Sequence, residues 1–351
     1  MEELIFKASD RTNVYRMCCK PSSKNSVKAV CHIAHGMAEH SQRYRRLAAE
    51  LVKHGFVVYV NDHRGHGKTA TDFQNNPLGV ALSERQRRLN SLTPRVDPAF
   101  TRYLSNGFER IILDLKEMVD EEKELHKNLP FILLGHSMGS VIAQTFAGRY
   151  GNKINGLILS GPPARPNALL TTTTPALLGS IQAFVGIDST SSVVHALTMG
   201  SYARNVAYSE TELEKHTIGE LEKTDNDWLS RDLDEVKKFN SDPFCGFQCS
   251  VGFWGDFLPT LFALKDSKKA LKNFPKDLPC FVMSGGSDPC GEFGYALKQV
   301  VDEFKYAGLP KPKVRTYDGA RHEIFNEINR DEVTADFLEF CDDIARRHSK
   351  L

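Results

Sequence analysis

"ILLGHSMGSV", residues 132–141, is the stretch on which the fold turns. The apolar run Phe131-Ile132-Leu133-Leu134 is short and stopped by glycine, as a buried strand would be. Ser140-Val141-Ile142-Ala143-Gln144-Thr145-Phe146-Ala147 reads as a helix. Between them, Gly135-His136-Ser137-Met138-Gly139 leaves room for one sharp corner with the serine at its tip. A side chain at either glycine would meet the adjacent strand or helix, so the pattern suits a serine held out of the chain at the top of a sheet. Alone, the pattern arises by chance in about one chain in ten of this length. Its place between a strand and a helix removes most such accidents.

Outward from this corner, strands and helices alternate. Residues 27–34, 56–60, 131–134 and 157–160 read as strands, and 41–54, 107–125 and 140–150 as helices. From 164 to about 270 no buried strand is legible, only helical stretches, a threonine run and polar loops. Strands resume at 279–284 and 313–317, followed by helices at 292–306 and 333–347. The alternation predicts an α/β fold, with a mostly parallel sheet and helices on both faces. Its core comprises residues 1–163 and 271–351. A mainly helical cap, 164–270, is inserted before the last two strands, over the sheet edge where ligands bind in open α/β folds. Residues 70–106, with Pro77, Pro94 and Pro98, read as an irregular extra loop.

The 351 residues carry 45 basic and 44 acidic side chains, a formal net charge of +1. No long-range field gathers nucleic acid, and none is expected as a partner. The cluster Arg85-Gln86-Arg87-Arg88 reads as a solvated face. The start, MEELIFK, lacks the basic flank and apolar core of a signal peptide. No run reaches the ~18 apolar residues of a spanning helix. The expected location is cytoplasmic. Of the eight cysteines, Cys31 and Cys280 lie in apolar runs, where a reduced thiol packs as a small hydrophobe. Cys245 and Cys249 have helical spacing without a neighbouring Cys/His pair, so no zinc site is expected.

A serine hydroxyl is a weak nucleophile until a base takes its proton, usually a histidine oriented by a carboxylate. Ser287-Asp288-Pro289 follows strand 279–284, and Arg321-His322-Glu323 follows strand 313–317. Both fall on loops at the edge that carries Ser137, in the order serine, acid, histidine. Asp288 can also be read as a helix start before proline, and Asp318 is a rival acid on the histidine's own loop. Two backbone N–H donors are needed for the oxyanion. Met138, directly after the serine, and Met37, in the loop after strand 27–34, are the candidates. Gly65-His66-Gly67-Lys68-Thr69 looks like the end of a phosphate-binding loop. Positions 62 and 63 are Asp and His where the first glycine is needed, so the stretch reads as a structural turn.

Together "HGMAEHSQRY" (35–44), "DHRGHGKT" (62–69), "GHSMGS" (135–140), "NSDP" (240–243), "SGGSDP" (284–289) and "GARHEIFNE" (319–327) resemble the monoglyceride lipase and lysophospholipase-like branch of the α/β-hydrolases. The similarity runs from about residue 25 to the C-terminus. It implies the α/β-hydrolase fold and the triad Ser137, Asp288 and His322, with no cofactor or metal ion. It also implies that Glu39 and Arg43 lie near the pocket for the alcohol part of a substrate, although the pair also fits a helix cap on the surface. Phe239 stands where relatives often carry tyrosine, and Thr69 replaces a usual serine. Some members of the branch are labelled aminopeptidases.

Leu177, Leu178, Ile181, Phe184 and Val185 share one helical face, and Phe253, Trp254, Phe257, Leu258, Leu261 and Phe262 form a second apolar stretch. Most are expected to pack the cap onto the core, and some to line the mouth. Burial there suits an acyl chain, at about 0.8 kcal/mol per methylene. The same helix can dip into a membrane surface. The expected activity is serine-dependent hydrolysis of a lipid-like ester. A peptidase anchoring a free amine on Glu210, Glu212 or Glu214, an acyltransferase, and a non-catalytic binding protein are the alternatives.

Overall fold

The computed structural model describes residues 1–22, 27–71, 107–187, 189–217, 219 and 222–348. The basic cluster at 85–88 and residues 72–106 of the irregular stretch lie outside the described residues.

One sheet of eight strands has the order β1-β2-β4-β3-β5-β6-β7-β8. The strands are β1 Glu2–Lys7, β2 Asn13–Cys19, β3 Ala29–Ala34, β4 Phe56–Asn61, β5 Phe131–His136, β6 Gly156–Ser160, β7 Cys280–Gly285 and β8 Lys313–Tyr317. β1 and β2 pair antiparallel, as do β2 and β4; every other pairing is parallel. Strands β3 to β7 are buried along their whole length, which is why they read as unbroken apolar runs. The period-2 alternation sends Val30, Val57 and Leu133 to one face. Cys31, Val58 and Leu134 point to the other. Helices Gly107–Leu125, Met138–Tyr150 and Tyr295–Tyr306 cover the first face through Leu115, Ile142 and Val300. Helices Arg45–Lys53 and Arg330–His348 cover the second through Leu51 and Phe337.

The hairpin β1–β2 has no counterpart in the sequence reading. Glu2, Glu3 and Lys7 break the apolar pattern of β1, which is tolerable at a sheet edge where Ile5 is 63% exposed. In β2, Arg16 is buried and paired with Glu121 and Glu122 of helix Gly107–Leu125. The helix expected from 292 starts at Tyr295, because Glu292, Phe293 and Gly294 all have positive φ (47°, 55° and 93°).

Parallel strands end at a common edge. The loops after β3, β4, β5, β6, β7 and β8 therefore converge, and each expected site residue of the core lies on one of them or just beyond it. Between β6 and β7 the described residues form helices and no strand. Helix Val251–Ala263 packs Phe253, Trp254, Phe257 and Leu261 into the core cluster beside Phe108, as expected. Helix Ala168–Val185 departs from expectation in part. Leu178 and Ile181 pack on the core cluster and Leu177 lines the cavity, but Phe184, at 94% exposure, and Val185 face solvent, so only part of this face packs as expected. Among the described residues no helix is long and apolar enough to cross a membrane.

Candidate active site

β5 ends at His136 and the next helix begins at Met138, so Ser137 alone makes the corner, with φ 54° and ψ −118°. A side chain rarely adopts that backbone, and the surroundings must hold it there. The Ser137 amide donates to the Ser160 carbonyl on β6 at 2.9 Å, and the Ser140 hydroxyl donates to the Ser137 carbonyl at 2.6 Å. Close approach explains the following glycine. A Cβ on Gly139 would sit 2.0 Å from the Ala34 carbonyl oxygen and 2.7 Å from that of His35. Both are backbone atoms at the end of β3 and cannot swing away. Gly139→Ala is therefore expected to destabilise the fold by about 1–3 kcal/mol or more. A denaturation midpoint equal to wild type would show that the corner has slack.

Asp288 and His322, 34 residues apart, meet at the sheet edge. The carboxylate can only accept, so His322 Nδ1–H donates to Asp288 Oδ2, at 2.9 Å. Both side chains are buried, and the Cys290 amide donates to Asp288 Oδ1 at 2.8 Å. Burial opposes a charged imidazole, but the Asp288 charge and hydrogen bond, with Glu323 and Glu39 behind them, outweigh it and hold the His322 pKa above 6.5. The His322 ring lies between those of His136 and Trp228, each 4.8 Å away by centroids. Burial, and then the nearby His322, push His136 down to about 3, so it stands there as a neutral ring. The rival acid Asp318 is exposed.

Ser137, His322, Met37 and Met138 all line one cavity of about 790 Å³. Met138 opens a helix, and the first amides of a helix have no acceptor within it. The loop of Met37 is fixed from below. His35 Nδ1–H donates to the Gly36 carbonyl at 2.7 Å, and the His63 amide donates to His35 Nε2 at 2.9 Å. These two bonds define a neutral His35, and burial keeps both imidazoles well below 6.5. A Cβ on Gly36 would lie 3.3 Å from Ser137 Cβ, so glycine lets this loop reach the corner. The Asp62–Thr69 turn braces the floor: Asp62 accepts from the amides of Ser41 and Lys68, both at 2.7 Å.

Glu39 and Arg43 are not a surface cap; both are buried inside an ion cluster. Arg43 donates to Glu39 at 3.0 Å and to Glu323 through both terminal nitrogens, the Nη2 bond at 2.7 Å. Its guanidinium carbon lies 4.8 Å from the centre of the Phe239 ring. Glu39 also accepts from the Gly36 amide and the Tyr44 hydroxyl. Burial, reinforced by the Glu323 charge, holds the Glu39 carboxyl above its usual range. At Glu323, Arg43 overcomes burial and holds it below. Glu39, Glu323 and Phe239 line the cavity, with Arg43 behind the two carboxylates. Sequence reasoning missed Glu323 and Trp228. Glu323 was findable as the neighbour of His322; nothing local marks Trp228.

Two groups of ligand-type side chains among the described residues have donor atoms within 4.8 Å of one another: His40–Asp242–Cys245 and Asp288–Cys290–His322. In each the histidine already bonds the aspartate, and burial pushes the thiol pKa up. The first group is assembled by the tertiary fold from segments about 200 residues apart, so cysteine spacing gave no sign of it.

The serine aminopeptidase S33 family matches residues 25–329. Human monoglyceride lipase is 25% identical over 317 residues, covering 90% of this chain and 82% of that one. Phospholipase YtpA of Bacillus subtilis is 23% identical over 316 residues, covering 90% and 95%. The crystal structure of a thermostable carboxyl esterase from Bacillus coagulans in complex with glycerol superposes with a TM-score of 0.76, at 26% identity and 98% coverage of both chains. The chain belongs to the serine aminopeptidase S33 family, has the α/β-hydrolase fold, and is a serine ester hydrolase.

Proposed function

We propose that the protein hydrolyses lipid-like acyl esters, a monoacylglycerol or lysophospholipid, through Ser137, His322 and Asp288. The observation that carries this reading is that His322, bonded to the buried Asp288, lines one largely apolar cavity together with a strained Ser137. Ser137 Oγ attacks the ester carbonyl while His322 Nε2 takes its proton. Asp288 holds the proton on Nδ1 and stabilises the imidazolium. The amides of Met37 and Met138 receive the charge on the former carbonyl oxygen. His322 then protonates the departing alcohol. Water, deprotonated by the same imidazole, cleaves the acyl-enzyme to the free acid.

The insert 164–270 serves as the cap. Its Leu178, Trp254, Phe257 and Leu261 line the cavity, which suits an acyl chain. Glu39, with its raised pKa, and Glu323 offer polar contacts at the alcohol end. A peptidase reading is weaker. Of the acidic residues on helix Glu210–Thr217, Glu212 is bonded to Arg321 at 2.8 Å and cannot anchor an amine without breaking that pair. Phe184 and Val193 are exposed apolar side chains of the cap and are the proposed contacts to a lipid surface; Leu197, also exposed, lines the cavity.

A panel of monoacylglycerols, lysophospholipids, short esters and aminoacyl arylamides tests the reading. The long-chain esters are expected to give the highest kcat/KM; a preference for arylamides would overturn it. Phe184→Ser with Val193→Ser is expected to weaken binding to phosphatidylcholine vesicles while leaving turnover of a dissolved short ester within about twofold. Equal vesicle binding by variant and wild type would exclude this surface as the contact.

A further inference from the structure

Arg321 directly precedes His322, yet it is 1% exposed and is the largest of the fully buried side chains. Its guanidinium leaves the sheet edge and enters the insert. Nη1 donates to the carbonyls of Asp227 at 3.0 Å and Ser230 at 3.2 Å. Nη2 donates to the Ala207 carbonyl at 3.1 Å and to Glu212 Oε1 at 2.8 Å. The Tyr208 ring centre lies 5.3 Å from its carbon. The insert answers along the same seam. The Trp228 carbonyl accepts from the His322 amide at 3.3 Å, and the Leu229 carbonyl from the Glu323 amide at 2.8 Å. Glu327 accepts from Arg231 Nε at 3.0 Å and from the Arg321 amide at 2.8 Å. The Ser230 hydroxyl donates to the Asn326 carbonyl at 2.9 Å. Residues 207–212 and 227–231 are thus tied by hydrogen bonds to the loop 321–327.

A guanidinium is costly to bury; here the two terminal nitrogens of Arg321 are matched, while its Nε–H is buried without a partner among the described residues. A loop that merely had to pack could carry an aliphatic side chain at 321. Here four acceptors come from three separate points of the insert, and residues 227–231 include Trp228, whose ring rests against the catalytic imidazole. We propose that Arg321 is a positioning residue: with Glu212 it clamps residues 207–212 and 227–231 to the histidine loop, so that Trp228 keeps the His322 ring aligned with Asp288 and Ser137. This rests on the reading of His322 as the base. Burial lowers the pKa of that imidazole, while Asp288 from the loop after β7, Glu323 beside it and Glu39 from beyond β3 raise it; the Cys290 thiol and the neutral His136 also lie next to the ring, and Arg43 is paired with Glu323. Arg321 itself points away from the ring, so its removal acts through alignment.

The test compares Arg321→Met, Arg321→Lys and Glu212→Gln with wild type. The measurements are kcat and KM on p-nitrophenyl butyrate, the pH profile of kcat/KM, and the thermal midpoint. Arg321→Met is expected to lower kcat by roughly 10- to 100-fold, the scale of a misplaced catalytic group, with KM within about twofold. The acid limb should fall toward 6.5 as the Asp288 bond loosens. Arg321→Lys keeps the charge and one donor direction and should recover part of kcat. A lowered midpoint with unchanged kcat and unchanged limb would show that Arg321 only stabilises the fold, and would overturn the proposal. Should Arg321→Met fail to fold, Glu212→Gln, which keeps the carbonyl bonds, is expected to lower kcat several-fold; wild-type kcat and limb there would overturn it equally. Wild-type protein that turns over no ester would instead overturn the ester-hydrolase reading.

Discussion

Ser137→Ala is expected to lower kcat on p-nitrophenyl butyrate by roughly 10⁴- to 10⁶-fold with little change in fold. The hydroxyl is the proposed nucleophile, and no nearby group can replace it. Burial pushes the Cys290 thiol pKa up, so little thiolate is available, and its place in the seat of Asp288 puts it at the far side of the imidazole. The backbone bonds that fix the corner belong to the amide and carbonyl of residue 137 and survive the substitution. The residual rate comes from binding and from the Met37 and Met138 amides. Steady-state turnover together with a fluorophosphonate probe reads the outcome. A variant that still turns over ester, or still labels, would move the nucleophile elsewhere.

Asp288→Asn is expected to cost about 10⁴-fold in kcat. An amide nitrogen facing Nδ1 donates to it, which forces the proton onto Nε2. That nitrogen can then no longer accept from Ser137. The pH profile distinguishes this from a general loss of fold. Only the neutral imidazole is a base, so wild-type kcat/KM should rise with pH through the His322 pKa, which lies above 6.5. Asp288 is what raises it against burial, so in the variant the residual activity should have its acid limb below the wild-type one. The exposed Asp318 supplies the control. Asp318→Asn should stay within about twofold of wild type. A large loss there, with little at Asp288, would exchange their roles.

Much of the site was legible because its motifs are local. Ser137 stands between two glycines, Gly135 required by the close approach of Gly139 and Ala143 and Gly139 by that of Ala34 and His35, and such contacts constrain residue type at adjacent positions. Asp288 follows β7, which is buried along its whole length and reads as an apolar run, whereas β8, before His322, is exposed except at Tyr317. The β1–β2 hairpin was not legible. β1, at the sheet edge, keeps charged side chains in solvent and so resembles a loop, and in the interior strand β2 the buried Arg16, paired with Glu121 and Glu122, interrupts the apolar run. Helix Ala168–Val185 was legible only in part: Leu178 and Ile181 pack as its apolar periodicity suggests, but the same pattern does not reveal that Phe184 and Val185 are left uncovered.

The sequence by itself determined the alternating α/β core, the serine corner and the order serine, acid, histidine, because these depend on residues next to one another and on one-sided burial. Only the tertiary structure decided how the charges pair. Arg43 meets Glu323 across 280 positions, and Arg321 meets Glu212 across 109. A charged side chain has the same composition whether it is solvated or buried against a partner, and its state is fixed by the three-dimensional neighbour that replaces water.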